Sequence, residues 1–178
     1  MLPTSPRPGS APSANQELFP VFLQQLSWLI SGAHEAKRVL AAWLLTSPPP
    51  PSPVASVLAQ GRRMTARHLV QLDQLLEGIT LPSPATVQDQ AIHAMLAQGN
   101  ACLEGTGTES ARYADLATVL HRVCSCFGTA CASAGETAMV LGRVDIATVL
   151  ASWAAAWRDL QQSLAAGQRP GSTEAAAR

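Results

Sequence analysis

Four histidines, His34, His68, His93 and His121, and a cluster of three cysteines, Cys124, Cys126 and Cys131, are the residues of this chain best suited to chemistry. Imidazole and thiolate bind transition metals, and imidazole changes its charge near neutral pH. Each histidine falls on a helical segment with no acid three or four residues away on its seam side, so surface or seam-edge imidazoles are expected. A remnant metal site, if one exists, would draw on Glu35, His68 and His121. Zinc ribbons place their cysteine pairs on turns so that the thiolates converge. On a helix turning ~100° per residue, Cys124 and Cys131 share a face while Cys126 points about 200° away. Cysteine as a small hydrophobe between close helices is therefore the expectation. Trp153 and Trp157 could stack on a flat ligand, but a tryptophan pair at this spacing is expected in the core, with its indole N–H groups meeting a polar neighbour or the bundle edge. Arg62, Arg63 and Arg67 form a small basic face, expected to be solvated or paired with acids of an adjacent helix. No Gly-rich phosphate loop, Ser-His-Asp order or pair of catalytic carboxylates can be assembled from this sequence.

These residues sit on long helical stretches. Between Tyr113 and Leu141 the chain has no proline, and Leu116, Leu120, Val123, Phe127, Ala130, Ala134, Thr137 and Leu141 form a 4,3 seam. A first helix follows Asn15, a plausible N-cap, and carries Phe22, Leu26, Leu29, Ala33, Ala36, Leu40 and Trp43, with Pro20 expected near its first turn. The run SPPPPSP, residues 47–53, stops it. A second helix, about 54–78, presents Leu58, Thr65, Leu69, Leu72 and Leu76, with Arg62 intruding on the seam. A shorter one, about 86–104, carries Val87, Ile92, Met95, Leu96 and Leu103 and is suited to a crossover. Thr108 or Ser110 can cap the next helix and Gly142 marks its end. The last helix, about 144–166, has the cleanest seam: Ile146, Leu150, Trp153, Trp157, Leu160 and Leu164. Long helices with coiled-coil-like seams and short connections imply an all-α antiparallel four-helix bundle with an extra crossover helix. The expected boundaries are a disordered arm at 1–14, the bundle at 15–167 and a disordered tail at 168–178.

Composition agrees. Hydrophobic residues make up 47% but aromatics only 4%, which suits small-residue helix packing and leaves little for strands. The formal net charge is zero, with 12 basic and 12 acidic residues scattered singly, and no basic stripe follows a phosphate backbone. Nucleic-acid binding is thus not expected. No apolar run reaches the ~18 residues of a membrane span, and the N-terminus lacks the pattern of a secretory signal. The expectation is a cytoplasmic protein with no membrane attachment and with reduced thiols.

The segment CFGTACASAGETAMVLGRVDIATVLASWAAAWRDLQQSL resembles the end of the ferritin-like bacterial stress proteins typified by YciE and YciF. Phe127-Gly128-Thr129 stands where that family tends to have Tyr-Gly-Thr, and Leu141-Gly142 with Asp145 matches its turn into the last helix. HAMLAQGNACLEG is similar to the crossover helix, and TARHLVQLDQLLEG to the second helix. The resemblance spans Phe22 to Leu164. It implies a ferritin-like fold with a carboxylate-rich centre for two metal ions, built from Glu and Glu-x-x-His pairs. Carried over residue by residue, that ligand set is nearly lost. The first-helix Glu falls on Ala36, or on Glu35 after a one-residue shift, and the second-helix Glu on Ala66. Leu120, His121, Arg122 and Val123 replace Glu-His-Tyr-Glu, and Ala154, Ala155 and Ala156 replace the last acidic cluster.

Two divalent ions bring about four positive charges, which aliphatic walls cannot compensate. The expected function is therefore that of a non-catalytic, metal-free ferritin-like bundle with no cofactor. It would be a structural or interaction protein, stress-related as the resemblance implies, forming a homodimer or meeting another protein. One alternative is an apolar ligand pocket walled by Leu120, Val123, Phe127, Trp153 and Trp157. Another is a residual di-metal oxidase or peroxidase.

Overall fold

The computed structural model describes residues 14–83 and 87–167. The arm expected at 1–14, apart from its last residue, and the tail expected at 168–178 lie outside them. Among the described residues there are five α-helices and no strand: α1 (Ala14–Leu44), α2 (Ser52–Leu75), α3 (Val87–Glu104), α4 (Glu109–Val140) and α5 (Val144–Gly167). None is long and apolar enough to cross a membrane.

The four long helices close in the order α1–α2–α5–α4, and the short α3 covers the edge between α1 and α4. Neighbouring long helices run antiparallel. Early α1 meets the end of α4, where Phe19 and Leu141 wall one crevice, whereas Tyr113 at the start of α4 reaches back beyond α1 to donate to the Pro48 carbonyl at 2.6 Å. The seams point inward as their spacing requires, with Leu26, Leu58, Leu116, Phe127, Ile146 and Trp153 among the fully buried side chains.

Three local features differ from the sequence expectation. Asn15 is not an N-cap, because α1 already includes Ala14, and Pro20 consequently lies inside the helix on an exposed position. Arg62 does not intrude on the α2 seam. It is exposed, and Gly61 takes the buried position beside Leu40 and Leu160. Ala130 on α4 is only half-buried. Elsewhere the signals hold: Thr108 Oγ1 accepts from the Ala111 amide, and Gly142 takes a positive φ of 72° just past α4.

The loops are tied to the bundle by specific bonds. Ser27 Oγ donates to the Pro82 carbonyl at 2.6 Å, docking the α2–α3 connection on α1. Trp43 Nε1 donates to Asn100 Oδ1 at 2.7 Å, which anchors α3. Gly99 makes that approach possible, since a Cβ there would stand 2.2 Å from Trp43 Cζ2.

The two glycines Gly99 and Gly128 should therefore respond oppositely to alanine. Gly99→Ala gains about 1 kcal/mol of helix propensity but forces the buried Trp43 ring aside, so a net loss of about 1–3 kcal/mol is expected. At Gly128 the nearest foreign atom lies 3.7 Å from the new Cβ, an ordinary contact. Gly128→Ala should stabilise by about 0.5–1 kcal/mol. Urea midpoints of the two variants check both signs.

Candidate functional site

The middle of the bundle is where a ferritin-like centre would lie, and side chains of every long helix fill it. From α4, the buried Phe127 ring stacks on Trp157 of α5, with centroids 4.8 Å apart and planes 9° from parallel. Trp153, one turn earlier on α5, lies 6.4 Å from the same ring. Trp28 of α1 stacks on Phe127 with centroids 6.1 Å apart. Each pair of this kind contributes about 0.5–1.5 kcal/mol beyond the area it buries. Leu120 and Val123 complete the α4 contribution and are likewise buried.

The five residues proposed as walls of an apolar pocket are thus in contact with the core or with one another. Two crevices between the helices have other walls: one of about 460 Å³ is lined by Gln25, Trp28 and Cys126 among others, and one of about 370 Å³ by Arg63, Arg67, His68 and Asp159 among others. Among the described residues the indole N–H groups of Trp153 and Trp157 find no acceptor, contrary to the expected polar neighbour. The stacking that buries their faces also carries their edges inward.

Of the surface and seam-edge places expected for the histidines, His68 takes the latter: it is buried, and its ring stacks on Trp153 at 5.4 Å and 13°. Nδ1 lies 2.9 Å from the Met64 carbonyl. A carbonyl only accepts, so Nδ1 carries the proton and the neutral ring keeps Nε2 as an acceptor. Burial lowers its proton affinity below the ordinary 6.5, the bond to Met64 opposes this, and the charge of Arg67 adds to the lowering. Thr65, one turn earlier, is fully buried and its hydroxyl has no partner among the described residues. Thr65 and His68 stand at i and i+3, the spacing of a Glu-x-x-His pair with the carboxylate replaced by a hydroxyl. The inward position on α2 is therefore Thr65, not the half-buried Ala66.

The remaining sequence candidates are kept apart. Ala36 faces the core, while Glu35 lies at its margin in an ion pair with Arg38, whose Nε donates to Oε2 at 2.8 Å. That bond, ahead of other effects, pulls the Glu35 carboxyl below its usual range. His121 is exposed and meets Gln161 at 3.0 Å, and His34 and His93 are also exposed. Arg62, Arg63 and Arg67 are exposed as expected. Glu35, His68 and His121 do not converge, and among the described residues no three His, Cys, Asp or Glu side chains gather in a way that could hold an ion. The inward residues are Ala36, Thr65, Leu120, Val123, Ala154 and Trp157. They do not fit a di-metal centre, which needs anionic oxygens.

The cysteines sort as their helical angles require. Cys124 and Cys131 are buried and Cys126 is half-buried. Burial pushes the Cys124 thiol up to about 12 and raises Cys131 as well, with neighbouring Cys126 adding to the latter.

With this geometry the solved structures supply a close counterpart. The crystal structure of the E. coli stress protein YciF superposes with a TM-score of 0.73, covering 87% of this chain and 94% of that one at 18% sequence identity. The fold is that of YciF. It is an all-α, ferritin-like bundle, and at such identity the likeness to YciF speaks for architecture alone. No family model and no curated protein matches the sequence.

Two outcomes follow from the buried groups. As pH falls, the unfolded chain protonates His68 near 6.5 while the folded protein resists, so native stability should decline as pH drops through the ordinary imidazole range. His68→Phe should flatten that part of the stability profile in chemical denaturation. In a thiol titration at neutral pH, Cys102 and Cys126 should react in the native protein, and Cys124 and Cys131 only after unfolding.

Proposed function

We propose that this chain is a non-catalytic, metal-free ferritin-like bundle acting as a structural or interaction protein, in the stress context that the name of YciF suggests. The observation that carries this reading is the stack of Phe127, Trp157, Trp153 and His68 where a di-metal centre would need carboxylates. Replacing anionic oxygen by indole, phenyl and aliphatic groups removes the charge that offsets two divalent cations. What is left is stability in the middle of the bundle and work done on its surface. The protonatable core group nearest the stack, His68, is tied to the Met64 carbonyl and to the Trp153 ring.

Self-association is part of the same proposal. Exposed apolar side chains gather at one end of the bundle: Met139, Val140 and Val144 around the α4–α5 turn, with Phe19 near Leu141 of that turn. Such a patch favours a second copy of the chain as its cover, because an isologous contact lets one surface bury itself.

Protein purified without chelators should contain well under one iron, manganese or zinc per chain. One or two tightly held ions per chain would overturn the metal-free reading. Sedimentation should give a dimer that the double substitution Met139→Glu and Val140→Glu converts to monomer. A monomer for the unaltered chain would remove the self-association arm and leave the metal result standing.

A further inference from the structure

The crevice of about 370 Å³ between α2 and α5 lies within the range of small-molecule sites, and His68 is part of its wall. His68 is only 5% exposed. Its Nδ1 is engaged with the Met64 carbonyl, which leaves Nε2 as an acceptor that meets no donor among the described residues. Nε2 is not sealed in. The Thr65 hydroxyl one turn earlier is shielded from water, whereas Nε2 is not among the shielded unpartnered atoms of the described residues. A molecule in the crevice can therefore reach it.

Charge is distributed unevenly around that acceptor. His68 stands opposite Trp153 and Gly61 opposite Leu160, so α2 and α5 run antiparallel. This pairing sets Asp159 level with Arg63, and it sets Ser152 level with His68. The Asp159 carboxylate thus offsets Arg63. Arg67, one turn further along α2, has no ion pair among the described residues. Its guanidinium is near enough to His68 for its charge to oppose protonation of the ring, and burial opposes it more strongly. With His68 neutral, two arginines against one aspartate leave the wall with a single positive charge.

We propose that this crevice binds a small 2-hydroxy carboxylate, whose carboxylate pairs with Arg67 and whose hydroxyl donates to His68 Nε2. A monoanion matches the one uncompensated cation, and a guanidinium suits the planar carboxylate. A hydroxyl on the next carbon sets a donor beside the anion, just as Nε2 sets an acceptor beside Arg67. A plain carboxylate leaves Nε2 unpaired, and a dianion brings its second charge against Asp159. An apolar substituent on the hydroxyl-bearing carbon meets Met64 and Ala156. Binding here requires neither the metal-free core nor the dimer, so it and the function proposed above can fail separately.

The test uses the full chain and three probes that share a phenyl substituent: mandelate, α-methoxyphenylacetate (no donor) and mandelamide (no charge). Binding is followed at the imidazole resonances of His68 in nitrogen-15-labelled protein, assigned by their absence in His68→Phe. Mandelate should shift them saturably and bind about tenfold tighter than the methoxy compound, the effect of one buried hydrogen bond. Mandelamide should be weaker than mandelate by a similar factor. Arg67 is exposed, so Arg67→Gln should fold normally, and it should bring mandelate down to the affinity of mandelamide. The proposal is overturned if mandelate leaves the His68 resonances in place, if the methoxy compound binds as tightly, or if Arg67→Gln keeps the preference for mandelate over mandelamide.

Discussion

Four long helices can meet only if something fills the space between them, and in this protein Phe127 is the piece on which that filling depends. Its ring stands between Trp157 and Trp153 on one helix and Trp28 on another. His68 extends the stack to a third helix through Trp153. In a carboxylate-lined bundle the same volume is held by cations and charged oxygens, which repel each other when the metal leaves. An aromatic stack has no such dependence. Its cohesion comes from dispersion and from water excluded, and it is complete in the bare polypeptide. The residual polar atoms, Thr65 Oγ1 and the two α5 indole nitrogens, are enclosed by that packing.

The periphery follows from the same demand for close approach. Small residues let the helices come near enough for a few large ones to interlock. Gly99 admits Trp43, Gly61 sits against Leu40 and Leu160, and Gly32 leaves room for Ile92 and Phe127. With aromatics at only 4% of the chain, the few buried rings of Trp28, Phe127, Trp153 and Trp157 are shared between helices. The α3 crossover is thereby part of the core as well as a connection. It contributes Ile92 and Leu96 and receives the Trp43 hydrogen bond. Tyr113 performs the corresponding task at the other long connection, holding the proline-rich loop through Pro48.

Large side chains close the middle of the bundle, whereas Met139, Val140 and Val144 are exposed at the end where α4 turns into α5. The α2–α5 crevice, with Arg63 and Arg67 facing Asp159 across it, is polar and partly self-compensated.

The helix seams were legible in the sequence because apolar side chains at 4,3 spacing form one stripe only on a helix, and every large residue of the α5 stripe is inside. So was the apolar character of the mid-bundle positions, since Leu120, Val123, Ala154 and Trp157 carry no charge and are buried. The cysteine faces followed from helical angle alone. Rotation and register were less visible: whether Glu35 or Ala36, Thr65 or Ala66 faces inward depends on about 100° of helix rotation, which only packing against neighbours fixes. Sequence spacing likewise could not find the stacking of His68 on Trp153, or the crevice that sets Arg63 and Arg67 across from Asp159. Those pairings join helices far apart in the chain. Local periodicity determined which residues are inside; the tertiary structure decided which of them touch, because contact between helices is a property of no single one.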